Sequence, residues 1–175
     1  MKILSEKTVF QAKFFQIKQI EIERNGKTYT KDYLDRQPFV VVLPITPDGQ
    51  IYLERQFRDV LGKTTLEAVA GFIEVGEDPA VAAKRELKEE TGLSAKNIQH
   101  IATWELNVNM NCQVYVYVAT DLTEGETHFD DDEDIELVKM PFAQAVEHAA
   151  NGKLPATAHV AAILLADRLQ KEGKI

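Results

Sequence analysis

Gly71-Phe72-Ile73-Glu74-Val75-Gly76-Glu77-Asp78-Pro79-Ala80-Val81-Ala82-Ala83-Lys84-Arg85-Glu86-Leu87-Lys88-Glu89-Glu90-Thr91-Gly92-Leu93 decides the reading of this chain. Asp78 can N-cap a helix, Pro79 fits a first helical turn, and Gly92 can end the helix in a left-handed conformation. Within that helix Glu86, Glu89 and Glu90 fall inside an arc of roughly 100°. Ala80, Ala83, Leu87 and Thr91 form a small apolar stripe roughly 120° away, so the helix can pack on a sheet while its acids face a cleft. Like charges so close repel, and a divalent cation reverses that sign. Hard carboxylate oxygens suit magnesium or manganese, in sites usually completed by substrate phosphates.

Two neighbours extend the pattern. Ala70-Gly71 lets backbone approach closely, and the Ala70 carbonyl can add a further hard ligand to Glu86, Glu89 and Glu90. Arg85, amid so many acids, suits a bidentate orienting role, with Glu77 as its architectural partner. On charge pattern alone, Arg85 to Glu90 also fits an ordinary solvated helix face. The full spacing decides between the two. The order Gly-x5-Glu-x7-Arg-Glu-aliphatic-x-Glu-Glu-x-Gly-aliphatic is met at every fixed position, with a chance occurrence on the order of 10⁻⁹ at a given start point.

That order resembles the Nudix box, and the chain resembles a Nudix hydrolase. The resemblance implies an α/β fold, an α/β/α sandwich, and hydrolysis of a nucleoside diphosphate linked to another group. Leu53-Glu54-Arg55-Gln56-Phe57-Arg58, the Leu66-Glu67-x-x-Ala70-Gly71 approach and Gly152-Lys153-Leu154 before an apolar helix resemble the ADP-ribose pyrophosphatase branch. In that branch the N-terminal strands often build a dimer, and arginines such as Arg55 and Arg58 lie near the substrate. Arginine's planar fork suits diphosphate oxygens, although strand-end charges would show the same pattern. Glu54 joins this substrate-side group or is an ordinary outward-facing strand residue.

A second acidic run, Asp130 to Glu136, sits between two strand patterns and reads as a loop. By the same similarity Glu133 matches a metal-binding acid and Asp131 the catalytic base; Asp132, Glu133 or Glu89 could also take the proton, and a solvated acidic loop is the plain alternative. The chain departs from the branch at Val69, where a proline is common, and lacks the proline expected downstream of the box. Asn107-Val108-Asn109-Met110-Asn111 occupies that stretch. Asn109 and its neighbours offer donors and acceptors to sugar hydroxyls or form a polar turn. This leaves room for ADP-ribose or another sugar nucleotide, such as GDP-mannose. Dinucleoside polyphosphate or nucleoside triphosphate hydrolysis, and a non-catalytic nucleotide-binding regulatory module, are the alternatives.

Outside these motifs, composition sets limits. A chain of 175 residues can bury a substantial core in one Nudix-type domain, read here as 38–175, preceded by N-terminal strands over 1–37 that form a possible dimerisation element. No apolar run approaches the ~18 residues of a membrane span, and the charged start does not read as a signal peptide. Cys112 is the only cysteine, which fits a reducing cytoplasm and reads as a buried strand residue. A net charge of −8 argues against general nucleic-acid binding.

Alternation over Phe14–Arg24, then Asn25-Gly26 and Lys27–Thr30, predicts a hairpin. Phe39–Ile45 predicts a buried strand, Pro47-Asp48-Gly49 a turn, and Ile51–Phe57 the returning strand. Strands are expected at Ile98–Leu106, Gln113–Val118 and Ile135–Met140, and helices near 142–151 and 156–171. The last helix is expected to bury Ala158, Ala161, Leu165 and Leu169, with Ala162 on the same face. A mixed sheet between helices follows. Trp104 reads as a core side chain more readily than as a base stacker. His100, His128, His148 and His159 share no ligand spacing and receive no role.

Overall fold

The computed structural model describes residues 1–125 and 135–175. Three strands open the chain, β1 (Lys2–Gln11), β2 (Phe15–Arg24) and β3 (Lys27–Arg36), in an antiparallel meander. The β2–β3 turn is Asn25-Gly26, with φ of 52° and 70°. Positive φ at both central residues is what a two-residue hairpin needs to match strand twist, which is why Asn-Gly stands there. The hairpin is longer than its alternation indicates, and within the expected N-terminal strands no pattern marks β1. Every residue of β1 is exposed, so it carries no one-sided burial pattern to read.

The central sheet has the order β7-β4-β10-β8, from β4 (Phe39–Pro44), β7 (Val69–Phe72), β8 (Ser94–Glu105) and β10 (Gln113–Thr123). β4 runs parallel to β10, and the other pairs are antiparallel. Val40 and Val42 pack towards α1 (Pro79–Thr91) together with Leu87, Leu93 and Tyr117. Val41 and Leu43, pointing the other way, pack with Ala145 of α2 (Phe142–Ala150) and Ala162 and Ile163 of α3 (Thr157–Lys171). A strand buried on both faces reads as an unbroken apolar run rather than an alternation, which is what 39–45 shows. The layers are therefore helix, sheet, helix.

A third sheet, β11-β5-β6, is antiparallel and built from β5 (Gln50–Arg58), β6 (Lys63–Glu67) and β11 (Ile135–Pro141). The two-residue β9 (Met110–Asn111) pairs in parallel with β3, joining the N-terminal sheet to the rest. Three sequence readings need correction. The approach to the box is strand β7, an element absent from the expected strands, because Val41 pairs with Ala70 and Val40 with Gly71. β8 begins at Ser94, directly after the αL residue Gly92 (φ 69°). On α3 the buried set is Ala158, His159, Ala162, Ile163 and Ala166, while Ala161 is exposed. From Val160 to Ala166 that helix is apolar all round, so periodicity could not say which edge meets the sheet.

Candidate active site

A cleft of about 570 Å³ is lined by the central sheet and α1, by β5 and β6 of the β11-β5-β6 sheet, and by Arg36 at the end of β3. One wall comes from β7 and α1. Asp78 caps α1 by accepting from the Ala80 N–H at 2.8 Å, Pro79 takes the first position, and Gly92 ends it. Leu87 and Thr91 are buried on the sheet side. Glu86, Glu89 and Glu90 all line the cleft, together with Arg85.

Gly71 makes this arrangement possible. A Cβ at that position would lie 1.9 Å from the Glu86 carboxyl carbon, so only a residue without a side chain lets Glu86 reach its place. Arg85 then organises the acids. Its Nε and Nη2 donate to the two oxygens of Glu77, at 3.0 and 2.9 Å. Nη1 donates to Glu86 at 2.7 Å and to Glu89 at 3.0 Å, and Nη2 also reaches the Phe72 carbonyl at 2.9 Å. The Glu77 bonds, then Glu86 and Glu89, raise the Arg85 pKa against the cost of burial. Glu77 in turn is held below the usual carboxylate range by Arg85. Five donors in a fixed fork match this set, which a lysine could not. Glu90 accepts from the Ala70 N–H at 3.3 Å, so Ala70 stands on the same wall.

The opposite wall comes from β5, β6 and α3. Glu54, Gln56 and Arg58 share one strand face, and Glu67 of β6 pairs in register with Glu54. Arg58 grips Glu67 through two parallel bonds of 2.8 and 2.9 Å, and Thr65 Oγ1 donates to Glu67 at 2.5 Å. Burial opposes the Glu67 charge, yet these bonds keep its pKa lowered. His159 stands behind, with Nδ1 3.9 Å from a Glu67 oxygen and accepting from the Ala68 N–H at 3.2 Å. Burial pushes its pKa down to about 4.

The third side of the cleft is aromatic and cationic. The Arg36 guanidinium lies 4.8 Å over the Phe72 ring and 5.8 Å from Phe39, and all three line the cleft. Phe14, from the β1–β2 connection, stacks on Phe72 with rings 10° from parallel and centroids 6.3 Å apart. The Arg36 Nε is buried without a hydrogen-bond partner among the described residues.

Of the residues singled out in sequence, Ala70, Arg85, Glu86, Glu89, Glu90 and Arg58 meet at this cleft. Glu54 is buried, 3 % exposed, and is not an outward-facing strand residue. Arg55 points to the other face of β5, pairs with Glu136 at 2.6 Å and lines a separate pocket with Lys63 and Lys153. Asn109 is drawn to the N-terminal sheet, where its carbonyl accepts from the Leu34 N–H at 3.3 Å. Asn111 is bound likewise, to Asp35 at 2.6 Å. Asp131, Asp132 and Glu133 lie outside the described residues. Trp104 is half-buried against the core, and Cys112 is buried with its thiol pKa raised by burial. Sequence reasoning missed Arg36, Phe39, Phe72, Gln56 and His159 as site residues; none is a fixed position of the box, and Phe72 is one of its free positions.

The carboxylates suit a hard divalent cation by donor type and by sharing one cavity wall. Among the described residues no three acids, histidines or cysteines are already gathered as a metal-holding group. Instead, Arg85 collects Glu86 and Glu89. No helix among the described residues is long and apolar enough to cross a membrane.

A helix carrying arginine-organised glutamates, seated over a glycine that a Cβ would block, defines a phosphate-chemistry site of the box type. Residues 35–160 match the NUDIX domain, and the chain belongs to the Nudix family, as a Nudix hydrolase. A Bacillus subtilis protein named ADP-ribose pyrophosphatase is 33 % identical over 156 residues, 84 % of each chain. A Bacillus methanolicus protein named methanol dehydrogenase activator is 29 % identical over 157 residues, again 84 % of each. The crystal structure of an ADP compounds hydrolase shares the fold, with a TM-score of 0.82 at 23 % identity, over 99 % of this chain and 96 % of that one. Nudix hydrolases in general use divalent metals.

Proposed function

We propose that this hydrolase cleaves the diphosphate linkage of nucleoside diphosphate sugars, ADP-ribose or a related sugar nucleotide such as GDP-mannose, to a nucleoside monophosphate and a sugar phosphate. The observation that carries the reading is the juxtaposition in one cleft of the Arg85-organised glutamates, the Arg58 fork and the Arg36–Phe72 platform. Such a cleft offers acids for a cation, a planar cation for phosphate oxygens and an aromatic face for a base. The relatives' names, an ADP-ribose pyrophosphatase and a hydrolase of ADP compounds, agree with that substrate class.

Glu86, Glu89 and Glu90, with the Ala70 carbonyl and Glu133, are the groups assigned to hold Mg²⁺ or Mn²⁺. When bound, the metal neutralises diphosphate charge and lowers the pKa of the attacking water. Arg85 orients Glu86 and Glu89, and Glu77 fixes Arg85. Arg58, anchored by Glu67, presents its remaining N–H groups to a diphosphate oxygen. Phe72 and Arg36 take the base. Asp131, with Asp132, Glu133 or Glu89 as the other candidates, accepts the proton of the attacking water.

The chain acts as a homodimer through its N-terminal strands, where Ile3, Val9, Phe10 and Phe14 are exposed. It works in the cytoplasm on small molecules rather than nucleic acid. A panel of ADP-ribose, GDP-mannose, UDP-glucose, diadenosine polyphosphates and nucleoside triphosphates, assayed with magnesium, tests the reading. Preferred turnover of a sugar nucleotide supports it; preferred turnover of polyphosphates or triphosphates overturns it. The activator name of the second relative makes a regulatory role the other reading, which the absence of any turnover would favour.

A further inference from the structure

On the nucleotide-sugar reading, the group beyond the diphosphate needs a partner of its own. Asn109 does not supply it, because that loop is bound to β3 and lies outside the cleft lining. The wall formed by β5 and α3 offers another candidate.

His159 sits in the first turn of α3, is 5 % exposed, and lines the cleft. Its Nδ1 accepts the Ala68 N–H at 3.2 Å, and a ring nitrogen that accepts carries no hydrogen. Burial keeps the ring uncharged near neutral pH. The ring hydrogen is therefore on Nε2. Glu67, the nearest carboxylate among the described residues, is already taken by Arg58 and Thr65 and faces the Nδ1 side. Among the described residues nothing accepts from Nε2.

A neutral N–H donor suits a hydroxyl oxygen, whereas phosphate charge on this wall is met by Arg58. Gln56 lies two residues before Arg58 on the same strand face and lines the same cleft, adding an amide that both donates and accepts. Phe39 and Phe72, which suit a base, come from the other sheet. With the base on that side and the phosphates at Arg58, the remaining polar pair faces what the phosphates carry.

We propose that His159 is a specificity-determining residue, its Nε2–H donating to a hydroxyl of the sugar on the side of the diphosphate away from the base, with Gln56 beside it. The assignment rests on the nucleotide-sugar reading and sharpens it.

The test compares His159→Phe, His159→Asn and Gln56→Leu on two compounds. One is ADP-ribose. The other is the β-methyl ester of ADP, which keeps base and diphosphate but has no sugar beyond them. His159→Phe should raise KM for ADP-ribose about tenfold, leave kcat within about threefold, and leave KM for the methyl ester unchanged. His159→Asn can still accept from Ala68 and donate into the cleft, so it should restore most of the affinity. Gln56→Leu should show the same selective loss, and it stands as the test if His159→Phe does not fold. Equal losses on both compounds, or no loss on either, overturn the assignment while leaving wild-type turnover intact. Wild-type protein that turns over no sugar nucleotide overturns the proposed function and this assignment with it.

Discussion

The two long walls of the cleft are built from different kinds of sequence. The α1 wall comes from residues 70–90, and its Arg85–Glu77 and Arg85–Glu89 contacts span eight and four residues. The β5–α3 wall joins Arg58 to Glu67 across a strand pair, and then His159 to Ala68 across 91 residues. Within a helix, spacing alone dictates which side chains meet. Across strands and layers, contact follows from register and packing, which spacing does not encode. The first wall should therefore fail by losing chemistry, and the second by losing affinity and selectivity.

The largest effect expected is on the α1 wall. Glu90→Gln or Glu86→Gln keeps the shape and removes a charge, so kcat should fall by ~10²-fold or more with the fold intact. Gly71→Ala should come close to that loss, because its Cβ lies 1.9 Å from the Glu86 carboxyl carbon and must displace that side chain. Steady-state kinetics with a circular dichroism check would measure both. Normal turnover in Gly71→Ala would mean that Glu86 is not needed where it stands.

Arg85→Lys should lower kcat by about tenfold or more, since one ammonium cannot hold Glu77, Glu86, Glu89 and the Phe72 carbonyl together. Combined with Glu77→Gln in a double-mutant cycle, it should show coupling of about 1 kcal/mol or more. Strict additivity would separate the two residues.

On the other wall, Arg58→Lys keeps the charge and loses the fork that grips Glu67, so KM should rise several-fold with a smaller change in kcat. A loss of kcat as large as that of Glu90→Gln would erase the contrast between the walls.

These contrasts also explain what could be read in advance. The helix, its caps and its glutamates were legible because one turn geometry fixes them, and the Arg85–Glu77 pair because both stand at fixed positions of the box, although Glu77 lies before the N-cap Asp78. The layers were legible from Phe39–Ile45, a short valine-rich apolar run of the kind a strand covered on both sides carries. The His159 site was not legible. A histidine in an apolar helix has no local signature, and α3 is apolar enough all round that its buried edge is chosen only by the sheet. Arg36, Phe39 and Phe72 likewise meet only once β3, β4 and β7 are brought together. Glu54 looked like one more strand carboxylate until register set it opposite Glu67.

The remaining effect is on stability rather than turnover, and it concerns pH. His159 is neutral when folded down to about pH 4, against an ordinary value of 6.5. Between those values the unfolded chain binds a proton that the folded chain does not. Stability should therefore fall on acidification from about 6.5 to 4, by at most about 3 kcal/mol from this group. His159→Asn should flatten that slope in urea denaturation, and an unchanged slope would place the histidine's proton elsewhere.

Metal-dependent cleavage between the two phosphates of a sugar nucleotide is checked by identifying its products. With ADP-ribose and magnesium, AMP and ribose 5-phosphate should form in equal amounts, neither should form in excess chelator, and restoring the metal should restore both. For GDP-mannose the corresponding pair is GMP and mannose 1-phosphate. Undiminished turnover in chelator, or inorganic phosphate as the first product, would contradict it.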